Sequence, residues 1–257
     1  PGGVIGSCGD PGVQADPTNS MISYLAVFDE VIDASTFTTA DLSNSGSGGA
    51  TTLTWNITTC GDNQNFLVQT ASITGDGSII PNITTGSVSD LAANTTTLAT
   101  TTDRIVTYDT VGLAVTINNH DGANVGTCTG ISSQASYDNN TIYYKVVFNK
   151  AITAGTFTTS DIVNAGAGGS TTLTWNISDC GDATNFVINT TAITGEGTII
   201  PTLAINTVSD PAANLNSVST TTDSTVTFDS VKPDVAINQH PGGVIGSCGD
   251  PGVQADP

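Results

Sequence analysis

Apolar and polar residues alternate along this chain in short runs, with Gly, Asn, Asp and Pro between them. A period of two belongs to half-buried β-strands, and the 3.6-residue period of amphipathic helices is almost absent. Ile22 to Phe28 (ISYLAVF) predicts a strand, followed by a Gly/Ser loop at 43–49 and a second strand, TTLTWNI, at 51–57. The turn CGDNQN (60–65) leads into FLVQTASI, and GSIIPNITTGSVSD (77–90) predicts a strand bent at Pro81. Proline removes a ladder donor and so marks an edge or a bulge. RIVTYDTV (104–111) reads as the last strand of the set. Short strands with turn residues between them predict an all-β chain folded as a β-sandwich of roughly seven to nine strands.

The series then runs a second time. IYYKVVF (142–148), NAGAGGS (164–170), TTLTWNI (171–177), FVINTTAI (186–193), GTIIPTLAINTVSD (197–210) and STVTFDSV (224–231) each follow their counterpart by 120 or 121 residues. The seventeen residues Pro1 to Pro17 return unchanged as Pro241 to Pro257, and residues 121–137 are a relaxed version of them. Two alternating module types of about 120 residues therefore make a 240-residue unit. Modules of this length bury a core of their own. The expected units are 1–112, 113–232, and 233–257 as the start of a further module. AVTINNH (114–120) and VAINQH (235–240) are each predicted as the first strand of the module that follows. Residues 1–112 lack such a strand, to be supplied by a preceding repeat or by another copy. The connections are a few residues long, which predicts modules touching end to end in a stiff rod. The expected partners are neighbouring copies of the same repeat, as a covalent array or by self-assembly.

VFDEVIDASTFTTADL, SVSDLAAN and VTYDTV, in that order, resemble the bacterial immunoglobulin-like modules found in tandem in large surface adhesins and extracellular fibre proteins. The likeness covers essentially both modules. It implies tandem immunoglobulin-like β-sandwiches arranged end to end at a cell surface. Two departures touch turns: Ala93 and Ala213 stand where the family usually has Gly before Asn, and Leu113 replaces a proline retained as Pro233.

Charge narrows the functional classes. Four Lys and Arg against 23 Asp and Glu give a net charge of −19. Nucleic acid is excluded as a partner, because phosphate binding needs basic residues. No apolar run approaches the length of a membrane span, and no signal peptide is expected. The acidity serves solubility and mutual repulsion, or it serves divalent cations. Sparse Lys and Arg leave trypsin-like proteases few cutting places, which suits a durable extracellular material. Six N-x-Ser/Thr sequons (Asn56, Asn82, Asn94, Asn139, Asn176, Asn189) are present.

Cysteines stand at Cys8, Cys60, Cys128, Cys180 and Cys248, two per module at fixed places. With no CxxC pair and no His cluster, they predict disulfides in an oxidising compartment rather than zinc. Two pairings remain open: Cys8–Cys60 with Cys128–Cys180, or Cys60–Cys128 with Cys180–Cys248. The first lets each module oxidise alone and closes loops that stabilise by about 4 kcal/mol in the chain-entropy model. The second would staple module to module.

Calcium takes six to eight oxygen ligands from Asp and Asn side chains. Asp90/Asp210, Asn94/Asn214, Asp103/Asp223 and Asp109/Asp229 recur in both modules and flank the last strand, where one module meets the next. They are the candidate calcium ligands; without a cation, they close turns, as SD and DP dipeptides often do. No EF-hand spacing accompanies them. For catalysis the chain offers little: His120 and His240 sit at equivalent junctions, without a nucleophile motif, and no GxSxG, HExxH or phosphate loop occurs. Trp55 and Trp175 are expected in the core, with sugar stacking as the alternative. The expected function is a non-enzymatic structural repeat of an extracellular filament or cell-surface stalk. The alternative is an adhesin repeat that binds glycan or a neighbouring cell surface.

Overall fold

A computed structural model describes residues 7–9, 14–100, 104–120, 128 and 141–237. Asp103, Asn139, His240, Cys248, the stretch 121–137 save Cys128, and most of the duplicated ends lie outside the described residues. The first half contains β1 (Ser23–Val27), β2 (Leu42–Asn44), β3 (Thr52–Thr59), β4 (Asn65–Thr74), β5 (Gly77–Ile79), β6 (Pro81–Ile83) and β7 (Val106–Tyr108). The second contains β8 (Val115–Asn119), β9 (Tyr143–Phe148), β10 (Ile162–Asn164), β11 (Thr172–Asp179), β12 (Asn185–Thr194), β13 (Gly197–Ile199), β14 (Pro201–Leu203) and β15 (Val226–Phe228). Two single-turn 3-10 helices, Thr39–Asp41 and Thr159–Asp161, are the helical elements among the described residues.

Each half is a β-sandwich. In the second, one layer is the antiparallel sheet β11-β12-β9-β8, and the pairs β10-β14 and β13-β15 form the other. The first half repeats this with β3-β4-β1 facing β2-β6 and β5-β7. Alternation in TLTWNISD turns Leu173, Trp175 and Ile177 toward the core and Thr174, Asn176 and Ser178 to solvent. The register slips between Thr174 and Trp175, and identically between Thr54 and Trp55, so both tryptophans sit just after a bulge.

The predicted bent strand at 77–90 is corrected by the structure. Residues 77–79 pair with β7 and residues 81–83 with β2, so Pro81 opens a separate strand with another partner. Pro201 does the same between β13 and β14. Lacking an N–H, proline can stand where a ladder begins but not inside it.

Two hydrophobic clusters fill the sandwiches, one drawn from residues 22–108 and one from 113–228. In each, three phenylalanines meet edge to face: Phe28, Phe37 and Phe66, and Phe148, Phe157 and Phe186. A tyrosine crosses each core to the facing layer. The Tyr24 hydroxyl donates to the Ile79 carbonyl at 3.1 Å, and Tyr144 donates to Ile199 at 3.0 Å. Trp175 packs against the second core and Trp55 lies buried in the first, as expected for core residues. Glycine is required where the Gly/Ser loops cross this layer: a Cβ on Gly166 would stand 2.0 Å from the Thr198 carbonyl oxygen.

Disulfides join Cys8 to Cys60 and Cys128 to Cys180, each across 52 residues within one half.

Candidate functional site at the module junction

The chain leaves β7 at Tyr108 and enters β8 at Val115, and the candidate ligands of this crossing surround it. The Asp109 carboxylate caps its own turn, accepting from the Val111 N–H at 3.0 Å. On the second half, the turn Asp210–Asn214 closes on itself. Asp210 Oδ1 accepts the Asn214 N–H at 2.7 Å, and its Oδ2 accepts the Asn214 side-chain amide at 3.1 Å. Ala213 bends there at φ +66°, in the left-handed region where the resembling modules place Gly.

Those two pieces are drawn together by Lys150. Its ammonium lies 3.0 Å from Asp109 Oδ2 and 2.5 Å from Asp210 Oδ2. Burial alone would disfavour both charges. The Asp210 and Asp109 hydrogen bonds outweigh that cost and raise the Lys150 ammonium above its ordinary value. Likewise the bonds from Lys150 and Asn214 outweigh burial and hold the Asp210 carboxyl below the usual range. Asn214 completes the bridge between halves. Its side-chain amide donates to the Asp109 carbonyl at 2.9 Å, and its Oδ1 accepts from the Asn19 amide at 3.1 Å.

Asp109, Asp210 and Asn214 thus converge, and a lysine occupies the cationic position among them. The other candidates stand elsewhere. Asp90 and Asn94 close the matching turn of the first half, the Asp90 carboxylate accepting from the Ala92 N–H and from the Asn94 N–H and side-chain amide, each at 2.8 Å. Asp223 accepts from the Asn119 side chain at 3.0 Å and ties down the end of β8. Asp229 caps its own turn, accepting from Val231. Among the described residues, no group of three or more His, Cys, Asp or Glu side chains gathers to hold a metal. His120 is fully buried at the end of β8, its backbone N–H donating to the Tyr143 carbonyl.

Sequence reasoning missed Lys150. It is a lone basic residue in NKA, and its counterpart in the first half is Glu30, so module comparison removed it from view. The scarcity of cations was the available signal: with four Lys and Arg in the chain, each is worth tracing to a partner.

No family model matches the chain, and no curated protein matches it in sequence. Among solved structures, it is similar to the Escherichia coli adhesin FdeC, with a TM-score of 0.37 and 16% sequence identity. That match covers 90% of this chain and 67% of the other.

Proposed function

We propose that this chain is a structural repeat unit of an extracellular filament or cell-surface stalk, in the manner of the tandem immunoglobulin-like modules it resembles. Its units are 1–112, 113–232, and the start of a further module at 233–257. The observation that carries the reading is the junction. Lys150 links an aspartate of each half, and Asn214 donates to the backbone of the connection itself. Polar atoms matched this way set an angle between modules, because any rotation strands a buried carboxylate. A rod that transmits length and direction needs such a joint; a flexible string does not.

Two further features support placement outside the cell. One disulfide spans each half, which suits an oxidising compartment. A net charge of −19 keeps parallel rods apart in solution. The chemistry is mechanical rather than catalytic. The test is immunogold labelling of native material by electron microscopy. Label along uniform fibres or stalks is expected, and label confined to the cytoplasm would overturn the proposal. Saturable glycan binding by the isolated chain would favour the adhesin reading in its place.

A further inference from the structure

In the second half, β8 is bonded along both of its edges. It pairs with β9 on one side, with Val115 opposite Phe148 and Ile117 opposite Val146. On the other side it meets the segment 215–223, where the Ile117 N–H donates to the Thr220 carbonyl and the Thr220 N–H to Val115, each at 2.9 Å. Val115 and Ile117 are thereby buried, and with them Tyr144, Val146 and Phe148 of β9.

Among the described residues, the first half has the walls of this slot without a strand in it. β1 is the edge of the sheet β1-β4-β3. Between β1 and residues 94–100 runs an open groove of about 760 Å³, floored by Ile83 and Val88 and flanked by Tyr24, Ala26 and Phe28. These are the counterparts of the side chains that β8 covers. The same chain also carries a second version of β8. Val235-Ala236-Ile237 repeats the Val115-Thr116-Ile117 pattern, yet Val235 is 84% exposed and Ile237 is 93% exposed.

We infer that the groove of the first half is a docking site for the segment beginning at Val235 of a second copy of this chain. In the register of β8, Ile237 would lie opposite Ala26 and Val235 opposite Phe28, with Ala236 facing outward beside Val27. An unpaired strand edge beside exposed apolar side chains is the usual receptor for an added strand. A second copy is favoured over the chain's own tail by the length of the connection. Six residues separate Phe228 from Val235, as six separate Tyr108 from Val115. That same connection delivers β8 to the module that follows, so Val235 is delivered forward, off the end of the second half. The inference deepens the structural-repeat reading and rests on it for its purpose: strand addition in this sense gives axial growth with one direction.

The test uses two variants of the full chain, Val27→Cys and Ala236→Cys, mixed in a glutathione redox buffer. A covalent heterodimer is expected, with mass mapping placing the link between positions 27 and 236. An out-of-register control, Val27→Cys with Lys232→Cys, should give at least tenfold less. A fluorescein-labelled peptide of residues 233–240 should also bind the chain saturably, and its Ile237→Asp version at least tenfold more weakly. Absence of the 27–236 link overturns the inference. So does its formation inside one molecule of the doubly substituted chain at high dilution. A link without fibres in native material would leave the docking standing and remove the filament; fibres without the link would do the reverse.

Discussion

The two halves share the strand TTLTWNI, the bulge before its tryptophan and the same trio of phenylalanines, yet their edges behave differently. In the second half, β8 lies along β9, and Tyr144, Val146 and Phe148 are at most 2% exposed. In the first, β1 has no such neighbour among the described residues, and Tyr24, Ala26 and Phe28 are half-buried. The turns Asp90–Asn94 and Asp210–Asn214 differ in the same sense. Asp210 and Asn214 are buried against the first half, whereas Asn94 is exposed. Nearly the same sequence therefore reaches two levels of burial, according to whether something packs against it. The difference teaches that burial here follows what packs alongside: β8 covers the edge of β9 within the second half, and the first half covers the turn Asp210–Asn214.

The largest effect should come from attacking β8. Ile117→Asp would place a charge in a fully buried site and destabilise the second half by about 5 kcal/mol. Its counterpart Ile237→Asp, at an exposed site, should change the unfolding of dilute chain by less than about 0.5 kcal/mol. Urea unfolding of the two variants checks both. Equal losses would erase the distinction between a filled and an unfilled strand position.

The disulfides provide the next test. Cys180→Ser and Cys60→Ser each open a 52-residue loop, and the chain-entropy model assigns each a loss of about 4 kcal/mol. Calorimetry should show both unfolding transitions moving down together. A much smaller loss in the first half would mean that its open edge already leaves that half loosely folded.

Lys150→Met removes the cation from beside Asp210, whose side chain is 1% exposed. The expected cost is about 2 kcal/mol, below that of a wholly buried pair because Lys150 and Asp109 are partly exposed. Glu30→Met, at the matching and exposed position of the first half, should be neutral. Thermal melts of the two variants measure the contrast.

Acidity gives the smallest effect. Asp210 has its carboxyl lowered in the folded chain, so its contribution is present above the unfolded value of about 3.9 and is lost as pH falls through the lower folded value. Lys150 is raised, so its contribution is present below its unfolded value and is lost only as pH climbs through the higher folded one. Carbon-detected NMR titration should place the Asp210 midpoint below that of an ordinary aspartate. In Lys150→Met that midpoint should rise. Asp62, lowered to about 2 by hydrogen bonds from Asn65 and Gln64 within its own turn, should not move.

Much of the architecture was legible along the chain. Alternation of period two placed β1, β3, β4, β9, β11 and β12 within a residue or two, because a strand with one wet face must alternate wherever it lies. The 120-residue repeat announced two similar cores for the same reason that a repeated pattern repeats its burial. The splitting at Pro81 and Pro201 was only half visible: proline marked a break, but the new partners of β6 and β14 are decided across the sandwich. The candidate ligands followed a similar course. Asp90 with Asn94, and Asp210 with Asn214, are four residues apart and meet within a single turn, which local spacing can show. The meeting of Asp109, Lys150 and Asp210 spans about a hundred residues and depends on how one half seats against the other.

By itself, the sequence determined the all-β class, the tandem period and the places where cysteines stand, since each depends on local spacing or on self-similarity. Only the tertiary structure decided which cysteines meet, which aspartates share a cation and which edge remains open. Those are questions of distance between residues far apart in the chain. They are settled when apolar strands bury their faces and carry the polar groups between them into contact.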